Sequence, residues 1–257
     1  MHRPFVAVLS SGSCGNSILF RSNETSVLID AGISCKEMER RLSAFGTEGQ
    51  DIDAVLLTHE HTDHNRGAKR FCSVHDIPVF GTEGTLALTP LEGTDAKAIE
   101  RHGTFAVGDL SIRAFPVMHL AAEPVGYSIS LNGRRASIAS DLGSLTEDVL
   151  KGMSDSDLVM IEANYDETML MNGNYPDFLK RTIAGDHGHL SNGDTGRLCS
   201  EVASERIRQI VLLHLSKENN TMDLAREAVE KCVMDDGGTR PSIAPTEHGC
   251  QNGPFAL

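Results

Sequence analysis

The sequence predicts a layered α/β domain, and three observations carry that expectation. Short apolar runs bounded by turn residues recur along the whole chain. The middle, from Thr104 to Ser140, consists almost entirely of such runs. Longer segments of helical character stand among the strands, mostly in the later half, which is the pattern of strands and helices sharing one core.

In chain order, PFVAVLS, NSILFR and SVLID read as three opening strands, and a helix follows over Cys35–Ala44. DAVLLT, Asp53 to Thr58, is a buried strand, and Asn65–His75 is helical. The middle supplies FAVG, LSIRAFPV, VGYSISL and RASIAS; the last two are joined by LNGRR, where an Asn-Gly pair suits a hairpin. Asp157–Glu162 is a further strand. Helices are expected at Pro176–Ile183, Asn192–Ser204 and Met222–Met234, with the strand QIVLLH between the last two. With no internal repeat, low-complexity tract or Pro/Gly/Ser-rich linker, the 257 residues are expected to form one domain, 1–257.

Composition is that of a soluble globular protein, and the absence of tryptophan with few aromatics calls for an aliphatic core. No run approaches the ~20 apolar residues of a membrane helix. The apolar stretch of MHRPFVAVLSSG is too short for a signal peptide, so a cytoplasmic location is expected. Cysteines 14, 35, 72, 199, 232 and 250 form no CxxC pair, which excludes a zinc ribbon or thioredoxin-type site and reads as free thiols. The formal charge of −13 disfavours broad attraction to nucleic acid. Bound divalent metals would reverse that locally.

The chemistry is densest in LLTHEHTDHNRG, Leu56 to Gly67. His59 and His61 are two residues apart, which sends both side chains to one side of an extended segment, and Asp63 and His64 follow at once. Two imidazoles can hold one cation, and the adjacent carboxylate and imidazole another; such nitrogen and oxygen donors suit Zn²⁺ or Mn²⁺. A helix cap at Thr62 or Asp63 would account for one polar residue, but not for HxHxDH after a buried strand.

This motif resembles that of the metallo-β-lactamase superfamily. The resemblance implies an αββα four-layer sandwich, with a metal site at one edge of its two sheets and three further ligands at later strand ends. His119 in FPVMHLAAEPVGYSI, Asp141 in SIASDLG and His214 at the end of QIVLLH stand in the expected order. By family analogy His59, His61 and His119 hold one metal, and Asp63, His64 and His214 the other. Asp141 bridges the two, and a shared hydroxide is the nucleophile. His2, His75, His102 and His248 have no comparable context and read as surface or core residues.

Four more segments narrow the family. LSSGSCGNS (Leu9–Ser17), IEANYD (Ile161–Asp166), DHGHLSNGDT (Asp186–Thr195) and LLHLSKENN (Leu212–Asn220), taken with THEHTDH, are similar to the WalJ (YycJ) family of lactamase-fold exonucleases over nearly the whole chain. Cys14 stands where that pattern has a serine. The resemblance implies 5′-to-3′ exonuclease action on DNA ends, with DNA repair as a candidate setting and two Mn²⁺ or Zn²⁺ ions as cofactors. No β-CASP-like insertion fits between Asp141 and His214, so the cap of larger lactamase-fold nucleases is expected to be missing.

The residues add their own chemistry. Glu162 and His189 form a carboxylate–imidazole pair if their strand ends meet, and such a pair can protonate a leaving oxygen; His187 could contact phosphate or act in its place. The catalytic set is thus Asp63, Glu162 and His189. Asp30 in VLIDAG can orient a ligand histidine through a hydrogen bond, or simply make a turn before Gly32. Donors to DNA are expected from Ser13, Asn16, Lys217, Asn219 and Asn220, with Lys180 and Arg181 nearby. The alternative is a hydrolase of the same fold acting on a small cyclic or linear phosphodiester or a lactone. Oligomeric state is not legible.

Overall fold

The computed structural model describes residues 4–233 and 241–257. Two seven-stranded sheets pack face to face. The first runs in the order β14-β1-β2-β3-β4-β5-β6, formed by β1 (Phe5–Ser10), β2 (Ser17–Arg21), β3 (Ser26–Ile29), β4 (Ala54–Leu56), β5 (Val79–Thr82), β6 (Ala96–Ile99) and β14 (Asn252–Ala256). The second runs β13-β12-β11-β10-β9-β8-β7, from β7 (Thr104–Val107), β8 (Leu110–Pro116), β9 (Val125–Leu131), β10 (Arg134–Ala139), β11 (Leu158–Glu162), β12 (Gln209–Leu213) and β13 (Ser242–Pro245). In each sheet the pairing is antiparallel from one edge as far as β3 or β10 and parallel beyond.

Strand residues alternate between two buried environments, as the two-residue period requires. Val6, Val8, Phe20, Val27 and Ile29 face the second sheet and meet Ile112, Tyr127, Ile129, Ile138 and Met160. Ala7, Leu9, Leu19, Leu28 and Val55 face the other way, onto Met38 and Leu42 of α1 (Cys35–Ser43) and Phe71 and Cys72 of α3 (Ala68–His75). Val159, Ile161, Ile210 and Leu212 of the second sheet do the same against α5 (Glu147–Met153), α8 (Asn192–Glu201) and α9 (Met222–Val233). The order helix, sheet, sheet, helix is the four-layer sandwich expected. The described part of the α9 prediction ends at Val233, and Met234 lies outside the described residues, as does His2.

Several local readings need correcting. The helix expected at Asn65–His75 is two: α2 (Thr62–Asn65), capped by His61 rather than begun by a Thr62 or Asp63 cap, and α3. The break falls at Gly67, whose absent side chain lets Ile33 O and Ala31 O approach: a Cβ there would lie 2.0 Å from Ile33 O. Short elements that escaped prediction are β5, β6, β13, β14, α4 (Glu83–Leu88), α5 and α6 (Glu167–Asn172). The expected helix at Pro176–Ile183 is α7 (Asp177–Ile183), and Asn192–Ser204 stops at Glu201. The LNGRR hairpin is present, with Asn132 and Gly133 both at positive φ.

Candidate metal centre

The C-terminal ends of β3, β4, β10, β11 and β12 and the loop after β8 meet at one edge of the sandwich. Three turns there take left-handed backbone at residues other than glycine: Asp30 at φ 61°, Asp141 at φ 56° and His214 at φ 54°. Such conformations persist only where surrounding bonds over-determine them, and they cluster at functional sites. Here the bonds are visible. Asp30 Oδ1 accepts the Thr58 amide at 2.8 Å, and the His214 amide donates to Ser11 Oγ at 2.7 Å.

The imidazoles are oriented from behind. His64 Nδ1 lies 2.8 Å from Asp30 Oδ2, His59 Nδ1 3.0 Å from Thr58 Oγ1, His119 Nδ1 3.1 Å from Gly188 O, and His214 Nδ1 3.0 Å from Glu162 Oε1. With each Nδ1 engaged by an acceptor, Nε2 is the nitrogen left to face the centre. His59, His61 and His119 form one convergent group, with ring centroids 4.6 to 5.1 Å apart. Asp63, His64 and His214 form another, and His59, His64 and Asp141 a third that links them. His64 Nε2 is 3.0 Å from Asp141 Oδ2, His214 Nε2 is 3.7 Å from Asp141 Oδ1, and His64 Nε2 is 3.7 Å from Asp63 Oδ2.

Whether this donor set fits a cation can be tested on unsatisfied atoms. His59 Nε2, His214 Nε2 and Asp141 Oδ2 are buried without a hydrogen-bond partner. His64 Nε2 and Asp141 Oδ2 stand close but out of line for a bond. Buried polar atoms are nearly always paired, so three orphans within these linked groups call for a cation. The electrostatics agree. Burial resists a charge on His64, yet the Asp30 and Asp141 carboxylates outweigh it and hold that imidazole well above its usual pKa. Burial, then the neighbouring His64, hold His59 well below. Burial would raise Asp141, but the His214 and His64 imidazoles keep it well below the usual carboxylate range. The pocket thus favours positive charge at its centre, and its nitrogen and oxygen donors are those of divalent metal ions.

Glu162 and His189 do meet: Glu162 Oε1 lies 2.6 Å from His189 Nδ1. Glu162 also accepts the Leu142 amide at 3.0 Å, so one fully buried carboxylate serves two histidines and a backbone amide. Burial works against the His189 charge, but Glu162 and then Asp141 overcome it and raise that imidazole to about 9. A cavity of about 290 Å³ opens over the cluster, with Ser13, Leu120, Leu179, Thr182, Ile183 and His187 among its walls. A second, of about 350 Å³, adjoins it through Ser13, His189 and His214 and reaches Lys217 and Tyr175.

The expected DNA donors fall into two groups. Ser13, His187 and Lys217 are exposed at these cavities. Asn16, Asn219 and Asn220 are buried, which corrects the expectation that they reach outward. Asn16 accepts the Gly12 amide and lies 2.9 Å from His64 Nε2, and Asn220 donates to Ala163 O and Asn164 O. Lys180 folds back onto Met171 O. His248, read as a surface or core residue, lines the second cavity. Thr58, Ser11 and Asn164 were missed as site residues. Asn164 Nδ2 donates to His214 O at 2.9 Å, and its position two residues after Glu162 in IEANYD was the available signal.

Residues 25–215 match the family described as the Beta-lactamase superfamily domain. The chain is 34% identical over 236 residues, 90% of its own length and 89% of the other, to the Exodeoxyribonuclease YycJ of Bacillus anthracis. The chain belongs to the metallo-β-lactamase superfamily and, within it, to the YycJ/WalJ family. It is also 32% identical over 226 residues, 85% of this chain and 84% of the other, to the Exodeoxyribonuclease WalJ of Streptococcus pneumoniae serotype 2. The superfamily's architecture recurs in the metallo-beta-lactamase fold protein YhfI from Bacillus subtilis, with a TM-score of 0.73 at 17% identity, covering 96% of this chain and 98% of that one. Zn(2+)-bound PqqB from Methylobacterium extorquens gives 0.71, also at 17%, covering 97% and 99%. These two likenesses concern the fold alone.

Proposed function

We propose that this protein is a 5′-to-3′ DNA exonuclease that works with two divalent ions, Mn²⁺ or Zn²⁺. In this reading His59, His61 and His119 hold one ion, Asp63, His64 and His214 the other, and Asp141 serves both. The single observation that carries the reading is the convergence of these seven side chains, with buried unsatisfied atoms, in a chain about one-third identical to two proteins named exodeoxyribonucleases. When bound, the ions supply Lewis acidity for water and for a phosphodiester at neutral pH.

The chain's own residues do the rest. Asp30, Thr58, Gly188 O and Glu162 fix the ring orientations, so that no reorganisation is needed when substrate arrives. Glu162 holds His189 at Nδ1, which leaves Nε2 to carry a proton to the leaving oxygen. Ser13, His187 and Lys217, at the cavity walls, donate to phosphate oxygens. The cavities lie open beside the short α7, consistent with substrate that enters as a chain end.

The test is to incubate 5′-phosphorylated, end-labelled DNA with the protein and Mn²⁺, and to repeat with Asp141→Ala and His59→Ala. Stepwise shortening from the 5′ end, lost in both variants, supports the reading. Activity that survives both substitutions refutes the site. Turnover of bis(p-nitrophenyl) phosphate far above that of DNA would move the assignment to a small-molecule phosphodiesterase.

A further inference from the structure

α2 and α3 run almost end to end, and between Thr62 and His75 their side chains divide by face. His64, Ala68, Phe71 and Cys72 point into the protein. Thr62, Arg66, Lys69, Arg70 and Ser73 are exposed on the other side. Their spacing is that of one helical stripe. The stripe lines two clefts that share Arg66 and Arg70. One, of about 650 Å³, starts at Glu60 and Thr62, inside the histidine motif. The other, of about 420 Å³, continues to Lys36 on α1.

The charge here runs against the whole molecule. In a chain of net −13, Lys36, Arg66, Lys69 and Arg70 crowd these two clefts. Their cationic groups are mostly uncommitted to acids. Arg66 donates to Gly32 O and Cys14 O, which fixes its guanidinium without neutralising it. Lys69 meets Glu92, a pair exposed on both sides and so weak. Neither Lys36 nor Arg70 enters an ion pair among the described residues. A protein gains nothing in solubility by concentrating like charges in a concave surface. A polyanion laid along it gains directly.

We propose that this stripe is the track for the DNA strand leading away from the metal centre, with Arg66, Arg70 and Lys36 on successive backbone phosphates. The inference rests on the exonuclease reading and deepens it. Arg66 and Arg70 lie four residues apart on either side of the Gly67 break and line both clefts, so one strand can pass both. The contacts are to phosphates, so the track holds DNA without reading its sequence. Glu60 and Thr62, which alternate with the candidate ligands His59, His61 and Asp63, put one end of the cleft beside the metal-site motif.

The track is tested by strand length and by salt. KM for 5′-phosphorylated single strands of about 20 nucleotides and for a trinucleotide is measured with Mn²⁺ in the wild type, Arg70→Ala and Lys36→Ala. Lys151→Ala on α5 serves as the control for charge alone. The expected result is that each track variant raises KM for the long strand about 3- to 10-fold more than for the trinucleotide. Each should also flatten the slope of log affinity against log salt by about 0.7, the value for one lost phosphate contact to a single strand. Lys151→Ala should do neither. Equal changes on both substrates, or an unaltered salt slope, would overturn the track while leaving the nuclease reading intact. A wild type that shortens no DNA removes both.

Discussion

Asp30 shows what a single buried carboxylate does behind a metal site. It accepts from the Thr58 amide and hydroxyl and from His64 Nδ1, and it sits in a left-handed turn that only such bonds justify. Asp30→Ala is therefore expected to weaken Mn²⁺ or Zn²⁺ affinity about 10- to 100-fold, measured by competition with a chelator. His189 acts at a later point. As the proposed proton donor it would matter in proportion to the basicity of the leaving oxygen, so His189→Ala should lower kcat on DNA by about 10²- to 10⁴-fold. The same variant should lose much less on bis(p-nitrophenyl) phosphate, whose leaving group needs no proton; equal losses on the two substrates would show that His189 does something else. The histidines and acids of this site were legible from the HxHxDH motif after β4, from the strand ends at Asp30, Asp141, Glu162 and His214, and, for His119 and His189, from the family resemblance of the segments that carry them. Thr58 and Ser11 were not, because a hydroxyl that bonds a neighbouring histidine carries no spacing signal of its own; Asn164 had one, its place two residues after Glu162.

At the level of elements, the two sheets are joined beneath the site by Tyr127 of β9, whose buried hydroxyl donates to Leu57 O at 2.7 Å. Burial pushes that phenol well above its usual pKa, so it stays a donor at any working pH. Tyr127→Phe is expected to cost about 0.5–1.5 kcal/mol in urea unfolding, with the fold retained. The outer helix α1 is tied down differently. Glu37 holds Arg40 and Arg41, and Arg41 reaches Leu9 O and Gly249 O, so the helix clamps the end of β1 to the segment before β14. Hydrogen bonds from Arg40 and then Arg41 lower the Glu37 pKa from 4.5 to about 2. A depressed carboxylate stabilises the fold above its unfolded pKa, and that contribution fades as pH falls from about 4.5 towards 2. Because the pair is partly exposed, Glu37→Gln should cost no more than about 1 kcal/mol at pH 7 and nothing further at pH 2; urea midpoints at the two pH values check this. The same contrast explains which elements the sequence revealed. Central strands such as β1 and β12 are buried on both faces and read as apolar runs. β6 is an exposed edge carrying Lys97, β13 ends in Pro245, and β14 contains Gly253 and Pro254, so none presents a strand pattern. The short helices α5 and α6 are announced by the caps Thr146 and Asp166 rather than by periodicity.

For the whole molecule, the decisive property is that a charge of −13 surrounds a centre whose donors are unsatisfied. Six strand ends or adjoining loops, drawn from both sheets, contribute to that centre, so an ion held there cross-links the two halves of the sandwich. Removal of metal leaves His59, His64, Asp141 and His214 buried together, with the ionised Asp141 carboxylate held against the His64 and His214 imidazoles, whose pKa values lie above the usual one. Binding to the folded state alone stabilises by mass action, about 2.7 kcal/mol at a metal concentration of 100 Kd. For a chain of this size each kcal/mol moves the melting temperature by about 2–4 °C, so saturating Mn²⁺ or Zn²⁺ should raise Tm by about 5–10 °C over the chelator-treated protein. Asp141→Ala removes the residue that faces both ligand groups and should abolish most of that shift. A metal-induced shift of wild-type size in Asp141→Ala would place the bound ions elsewhere, and the proposed two-ion assignment to this cluster would then be wrong.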